Sequence, residues 1–185
     1  MKRKNEKRYA MLIDTKTCVG CGACVVACKT ENSVPEGVFR DWIVEDVSGS
    51  FPNLRMEIRS ERCNHCSRPP CVALCPTGAS YVKEGTGIVL VKRDTCTGCK
   101  ACMASCPYNA RFVMPDEGYV SKCSFCIHRV LDGEQPACVS VCPTRSMILG
   151  DLNDPYDRAT QFLEMRKYKT LLPEAGTQPN VYYLL

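Results

Sequence analysis

The chain has 185 residues, a formal net charge of +4 and 16 cysteines, about 9% of its length. No apolar run approaches the ~20 residues that cross a bilayer, and the basic residues are scattered with no interleaved aromatic stripe, which argues against a nucleic-acid partner. With so little large apolar surface the hydrophobic core is modest, and something held by the sulfurs is expected to supply part of the folding energy.

The stretch "MKRKNEKRYAMLIDTKTC" is basic, with no apolar signal core and no adjacent arginine pair, so no export signal is expected in it. In a reducing compartment, cysteines at this density read as metal ligands before disulfides. Group one follows at once: Cys18, Cys21, Cys24 and Cys28 in "CVGCGACVVAC". Beyond it, "VFRDWIVEDV" and "LRMEIRS" flank "SGSFPN" and predict a hairpin, with Leu54, Met56 and Ile58 alternating with Arg55, Glu57 and Arg59 as in a half-buried strand. Group two is Cys63, Cys66, Cys71 and Cys75 in "CNHCSRPPCVALCP". "SYVK" and "GIVLV" around "EGTG" predict a second hairpin. Group three is Cys96, Cys99, Cys102 and Cys106 in "CTGCKACMASCP", and group four is Cys123, Cys126, Cys138 and Cys142 in "CSFCIHRVLDGEQPACVSVCP".

"SMILGDL" predicts a strand, and "DPYDRATQFLEMRKYKTLL" a helix with Asp154 as N-cap and Pro155 as first residue. Asp157 sits early in it and Arg166, Lys167 and Lys169 late, as the helix dipole favours. The remainder, "PEAGTQPNVYYLL", reads as extended. Two placements are open to this apolar tail: docking on a partner, or folding back on its own domain.

All four groups begin C-x2-C and end C-x3-C, and the last three are followed by proline. C-x2-C-x2-C puts three thiolates on one tight loop, and a cubane offers four iron corners that each take one thiolate. In two-cluster ferredoxins the fourth cysteine serves the other cluster, and the proline belongs to the same signature. Structural zinc takes two separated pairs, which groups two and four could supply and groups one and three much less naturally. Thiols two residues apart seldom pair as structural disulfides. If each site holds an oxidised four-iron core on four thiolates, it adds about −2, so four sites turn +4 into about −4 (4 − 8). The Lys and Arg excess then reads as counter-charge.

Groups two and three, joined by one hairpin, reproduce a small ferredoxin and leave groups one and four to pair around it. The expected sets are Cys18, Cys21, Cys24 with Cys142; Cys123, Cys126, Cys138 with Cys28; Cys63, Cys66, Cys71 with Cys106; and Cys96, Cys99, Cys102 with Cys75. A pairing of groups three and four across "YNARFVMPDEGYVSK" stays open on spacing alone. Gly20, Gly22 and Gly98 suit close approach of backbone N–H groups to sulfur, or plain turn chemistry. Lys100, Arg111, Lys122 and Arg129 read as charges tuning nearby centres or as solvated surface. His65 and His128 read as packing beside complete ligand sets, and Trp42 as core or interface.

"YAMLIDTKTCVGCGACVVACKTEN", "CNHCSRPPCVALCPTGASY", "CPYNARF", "GYVSKCSFCIHR" and "PACVSVCPT" together resemble the iron–sulfur subunits of molybdopterin oxidoreductases of the dimethyl-sulfoxide-reductase type. "VPEGVFRDW" and "GTQPNVYYL" are most similar to polysulfide and thiosulfate reductases. The resemblance implies an α+β fold of two nested ferredoxin-like modules with hairpin insertions, a C-terminal helix and an extended tail. The expected segments are 1–32 plus 119–150 as outer module, 33–60 as hairpin insertion, 61–118 as inner module, and 151–185 as helix and partner-docking tail. It implies four [4Fe–4S] clusters, no substrate site, a molybdopterin (Mo or W) catalytic subunit and an integral membrane quinone-binding subunit. The group-one cluster would face the first and the group-three cluster the second, with groups four and two between. The complex would lie on the cytoplasmic membrane, at the outer face by export with its partner, or at the cytoplasmic face. A stand-alone polyferredoxin shuttle is the other function class these cysteines allow.

Overall fold

The computed structural model describes residues 6–185. The first five residues of the expected outer segment lie outside it. β1 (Tyr9–Asp14) leads through the first cysteine loop into α1 (Ala23–Glu31), and β2 (Asp41–Ser48) and β3 (Arg55–Arg62) form an antiparallel ribbon paired along its whole length. Next come α2 (Pro70–Ala73), the hairpin of β4 (Ser80–Val82) and β5 (Val89–Val91), and α3 (Ala101–Ala104). A minimal hairpin of β6 (Phe112–Val113) and β7 (Val120–Ser121) precedes α4 (Ile127–Leu131) and α5 (Ala137–Ser140). The chain closes with β8 (Met147–Asp151), α6 (Arg158–Met165), β9 (Tyr168–Lys169), a 3-10 turn at Pro173–Ala175 and β10 (Val181–Leu184).

Both expected hairpins and the expected strand after group four are present. The architecture is α+β, with six short helices and four small sheets among the described residues. The largest sheet has the order β8-β1-β10-β9, with β1 antiparallel to β8 and parallel to β10. Its two faces are both covered, as the unbroken apolar runs of β1 and β10 require. Met11, Ile13, Val181 and Tyr183 face the cysteine-lined core, while Ala10, Leu12, Tyr182 and Leu184 pack with Ala159 of α6.

The tail therefore takes the second placement. All four residues of β10 are buried between β1 and β9, so this segment finds its core within the chain and not on a partner. The helix is also shorter than expected. Asp157, not Asp154, is its N-cap: one carboxylate oxygen accepts from Ala159 N at 2.8 Å and the other from Asp151 N at 2.9 Å, tying the helix to β8. Asp154 instead accepts from Tyr156 N in the preceding turn. Arg166 ends the helix, and Lys169 lies in β9.

The half-buried reading of β3 also needs correcting. Leu54 and Met56 are exposed, whereas Arg59, Ser60 and Arg62 are buried. The root of the ribbon lies over the first cysteine loop, where Ile58 and Ile43 cover Gly20, and its outer half extends past that contact. Arg59 is held there by Asp46, by Glu57 at 3.0 Å and by Glu61 at 2.7 Å.

Candidate metal centres

Each of four short helices stands between a third and a fourth cysteine of one group. α1 carries both Cys24 and Cys28; α5 carries Cys138, with Cys142 just beyond its end. α1 packs on α5, so groups one and four meet. In the same way α2 carries Cys71 ahead of Cys75, α3 carries Cys102 ahead of Cys106, and these two helices pack together. Group two thus meets group three.

Two cavities each bring four of the thiols together. Cys18, Cys21, Cys24 and Cys142 line one cavity with Ile43 and Met147. Cys75, Cys96, Cys99 and Cys102 line another, beside Ser80, Arg111 and Val120. Asn32 Nδ2 lies 3.7 Å from Cys28 Sγ and 3.8 Å from Cys126 Sγ, and the charges of Cys28 and Cys138 act on Cys123. The pKa of Cys66 is pushed up to about 11, first by burial and then, against a hydrogen bond from Thr177, by Cys63, Cys71 and Cys106.

Burial alone would make these sites unfavourable for thiolates. Burial, with Asp41 next, pushes the pKa of Cys24 and of Cys28 up to about 12, and the Cys138 sulfur raises both further. A cationic iron–sulfide core would reverse that balance, because such a core takes the thiolate form and would tie metal binding to folding. An all-sulfur donor set in a mostly buried pocket fits such a core.

Hydrogen bonds to sulfur come from several directions. Backbone N–H groups of Ser80, Val120 and Phe125 donate to Cys75, Cys96 and Cys123 at 3.3, 3.4 and 3.4 Å. Gly98 has a steric role: at φ +67°, a Cβ on it would stand 2.4 Å from Gly118 O. Of the four basic residues singled out in the sequence, two reach the interior. Arg111 donates to Cys71 Sγ at 2.8 Å and to Ser80 Oγ at 2.9 Å. Lys122 is buried and donates to the carbonyls of Val89 and, at 2.7 Å, of Cys123. Lys100 is exposed, and Arg129 pairs with Glu31 at 3.0 Å and Glu134 at 3.1 Å.

His65 is fully buried, its ring stacked on Phe125 at 3.7 Å. Nδ1 accepts from Val89 N at 3.2 Å; burial, then the charges of Lys122 and Arg111, hold the imidazole well below its ordinary range and so neutral. His128 is a surface partner of Glu31 at 2.7 Å, and Trp42 packs against the main core.

Sequence reasoning missed Arg62. It is 1% exposed, donates to Cys138 Sγ at 3.1 Å, and lies 3.0 Å from Asp41 Oδ2, which is itself buried and hydrogen-bonded to Ser60. Burial opposes the charge, but Asp41 and the sulfurs of Cys138, Cys123 and Cys24 hold the guanidinium firmly protonated. Its only signal in the sequence was adjacency to Cys63.

Comparison with known proteins bears on this arrangement. Residues 54–152 match a family described as "4Fe-4S dicluster domain", and residues 17–79 match a second family of the same description. The chain belongs to the 4Fe–4S dicluster proteins. It is 44% identical to "Protein NrfC homolog" of Haemophilus influenzae over 99% of this chain and 82% of the relative. It is 41% identical to a tetrathionate reductase subunit of Salmonella typhimurium, covering 96% of this chain and 72% of that one. With "Arsenate respiratory reductase iron-sulfur subunit ArrB" of a Shewanella strain it shares 34% identity over 96% of each chain. Two dicluster matches and 16 cysteines make this dicluster protein a carrier of four [4Fe–4S] clusters and an electron-transfer protein.

Proposed function

We propose that this dicluster protein passes single electrons along four clusters held in the sets Cys18/Cys21/Cys24/Cys142, Cys28/Cys123/Cys126/Cys138, Cys63/Cys66/Cys71/Cys106 and Cys75/Cys96/Cys99/Cys102. When bound, each cluster takes up and releases one electron. The chain supplies the thiolates, the order and the electrostatic setting. Segments 1–32 and 119–150 form the outer module and 61–118 the inner, nested one.

The observation that carries this reading is where each set meets solvent. Cys21 in the first set and Cys99 in the last are exposed. Cys28, Cys123, Cys126 and Cys138 are all buried, as are Cys63, Cys66 and Cys71. Two sets thus have an exposed member, one is wholly buried, and one is buried except for the half-buried Cys106, which suits a row with an entry and an exit.

No residue of the chain is assigned to substrate chemistry. A molybdopterin catalytic subunit takes the end at Cys21 and a membrane quinone subunit the end at Cys99, in a respiratory reductase of polysulfide, thiosulfate or related type. The names of the tetrathionate and arsenate reductase relatives support a reductase partner, and among the described residues no helix is long and apolar enough to cross a membrane, which suits a peripheral subunit. In the purified complex, Cys99→Ser is expected to degrade one cluster and to cut quinone-linked turnover while dye-linked activity of the catalytic subunit survives. Equal loss of both activities in an assembled complex would sink the assignment of that end, and a lone species of this chain's own mass in mild detergent would favour a shuttle.

A further inference from the structure

Arg62 and Arg111 make matching contacts, Arg62 with a sulfur of the outer module and Arg111 with a sulfur of the inner one. Each donates to the third cysteine of its neighbouring group, Cys138 for Arg62 at 3.1 Å and Cys71 for Arg111 at 2.8 Å. Both of those sulfurs belong to interior sets. Each guanidinium also borders a set that reaches the surface. Arg62 Nη2 lies 3.5 Å from Met147 Sδ, which lines the cavity of Cys18, Cys21, Cys24 and Cys142. Arg111 itself lines the cavity of Cys75, Cys96, Cys99 and Cys102. Arginine stays protonated under all relevant conditions, so a fixed positive charge stands between the interior and terminal sets of each module.

The two bridges differ in one respect. Arg62 meets the carboxyl of Asp41 at 3.0 Å, both side chains being buried. Arg111, 5% exposed, meets a sulfur and the Ser80 hydroxyl, with no carboxylate ion pair among the described residues, while each arginine keeps one buried nitrogen, Arg62 Nε or Arg111 Nη1, without a hydrogen-bond partner. Cluster potential rises with positive charge nearby and with hydrogen bonds to sulfur. Building on the proposed cysteine sets, we infer that Arg111 is an uncompensated potential-setting residue that raises both inner-module centres above the outer pair, where Asp41 offsets the equivalent charge of Arg62. The inner module is then the higher-potential end of the row.

An EPR-monitored redox titration of the holoprotein, paired with an iron count, tests this. Arg111→Gln is expected to shift two of the four centres to lower potential with sixteen irons retained, and Arg111→Lys to stay near wild type. Arg62→Gln alone leaves the Asp41 carboxyl unpaired and should also lower its two centres, whereas Arg62→Gln combined with Asp41→Asn removes no net charge and should shift them by less. Should Arg111→Gln lose iron, Ser80→Asp carries the test, since it gives Arg111 the counter-charge that Arg62 already has; the same two centres should move down. Unchanged potentials in either fully loaded variant overturn the inference while leaving the cysteine sets standing. A wild-type iron content far below sixteen overturns the cysteine sets themselves.

Discussion

Around Cys18–Cys28 and Cys123–Cys142 the chain wraps a four-stranded sheet whose strands β1 and β10 are buried on both faces. Around Cys63–Cys75 and Cys96–Cys106 it has only the three-residue ladder of β4 and β5, the two-residue ladder of β6 and β7, and four-residue helices. Both regions follow one plan, a helix pair between two thiol sets, yet they are closed by different means. Both share the main core, which the second region enters through Ile88, Tyr108 and Ala110, but the first adds an apolar cluster at Ala10, Leu12, Ala159, Tyr182 and Leu184. The second adds Val89 and Val120 packed around Cys71 and Cys102, so a larger share of its closure falls to its sulfurs.

The largest expected effect follows directly. Anaerobic removal of iron should abolish hydrogen-exchange protection across residues 63–122, while amides of β1, β8 and β10 keep a measurable share of theirs. If both regions exchange at the same rate after iron loss, the contrast between them is wrong. Tyr183→Ala should strike the other side. Its ring is fully buried and its hydroxyl donates to Ser60 O at 3.4 Å, so the change should cost about 3–5 kcal/mol. Denaturant titration with exchange readout should place the damage in the sheet before the inner cysteines.

Gly98→Ala should weaken the inner region by about 2 kcal/mol or more, because a left-handed φ and a contact with Gly118 O both oppose a methyl group. The readout is an earlier bleaching midpoint of the cluster absorbance, with β1 amides unaffected. The smallest effect belongs to Asp157→Ala. Losing this N-cap should cost about 1 kcal/mol and loosen α6 from β8. A cost near zero would show that α6 is held by packing alone.

How much was legible in the sequence divides along the same lines. The cysteine groups, the two larger hairpins and the strand at Met147–Asp151 depend on local spacing and alternation, and they stand where the pattern put them. The β6–β7 hairpin went unread because two-residue strands carry no usable period. Asp154, just ahead of a proline, read as the cap and Asp157 only as an early acid. What decides between them is the amide of Asp151, which only the fold brings within reach. Arg62 went unread because nothing in "IRSER" shows Asp41 arriving opposite it in register.

By itself the amino-acid order determined the chemistry: sixteen thiols in four C-x2-C…C-x3-C groups bind clusters in any fold that lets the loops close, because ligand spacing within a loop is a local property. Only the tertiary structure decided where β10 goes, which thiols lie inside, and which guanidinium has a carboxylate beside it. Those are outcomes of long-range packing, where segments far apart in the chain compete for the same buried space and no local pattern records the winner.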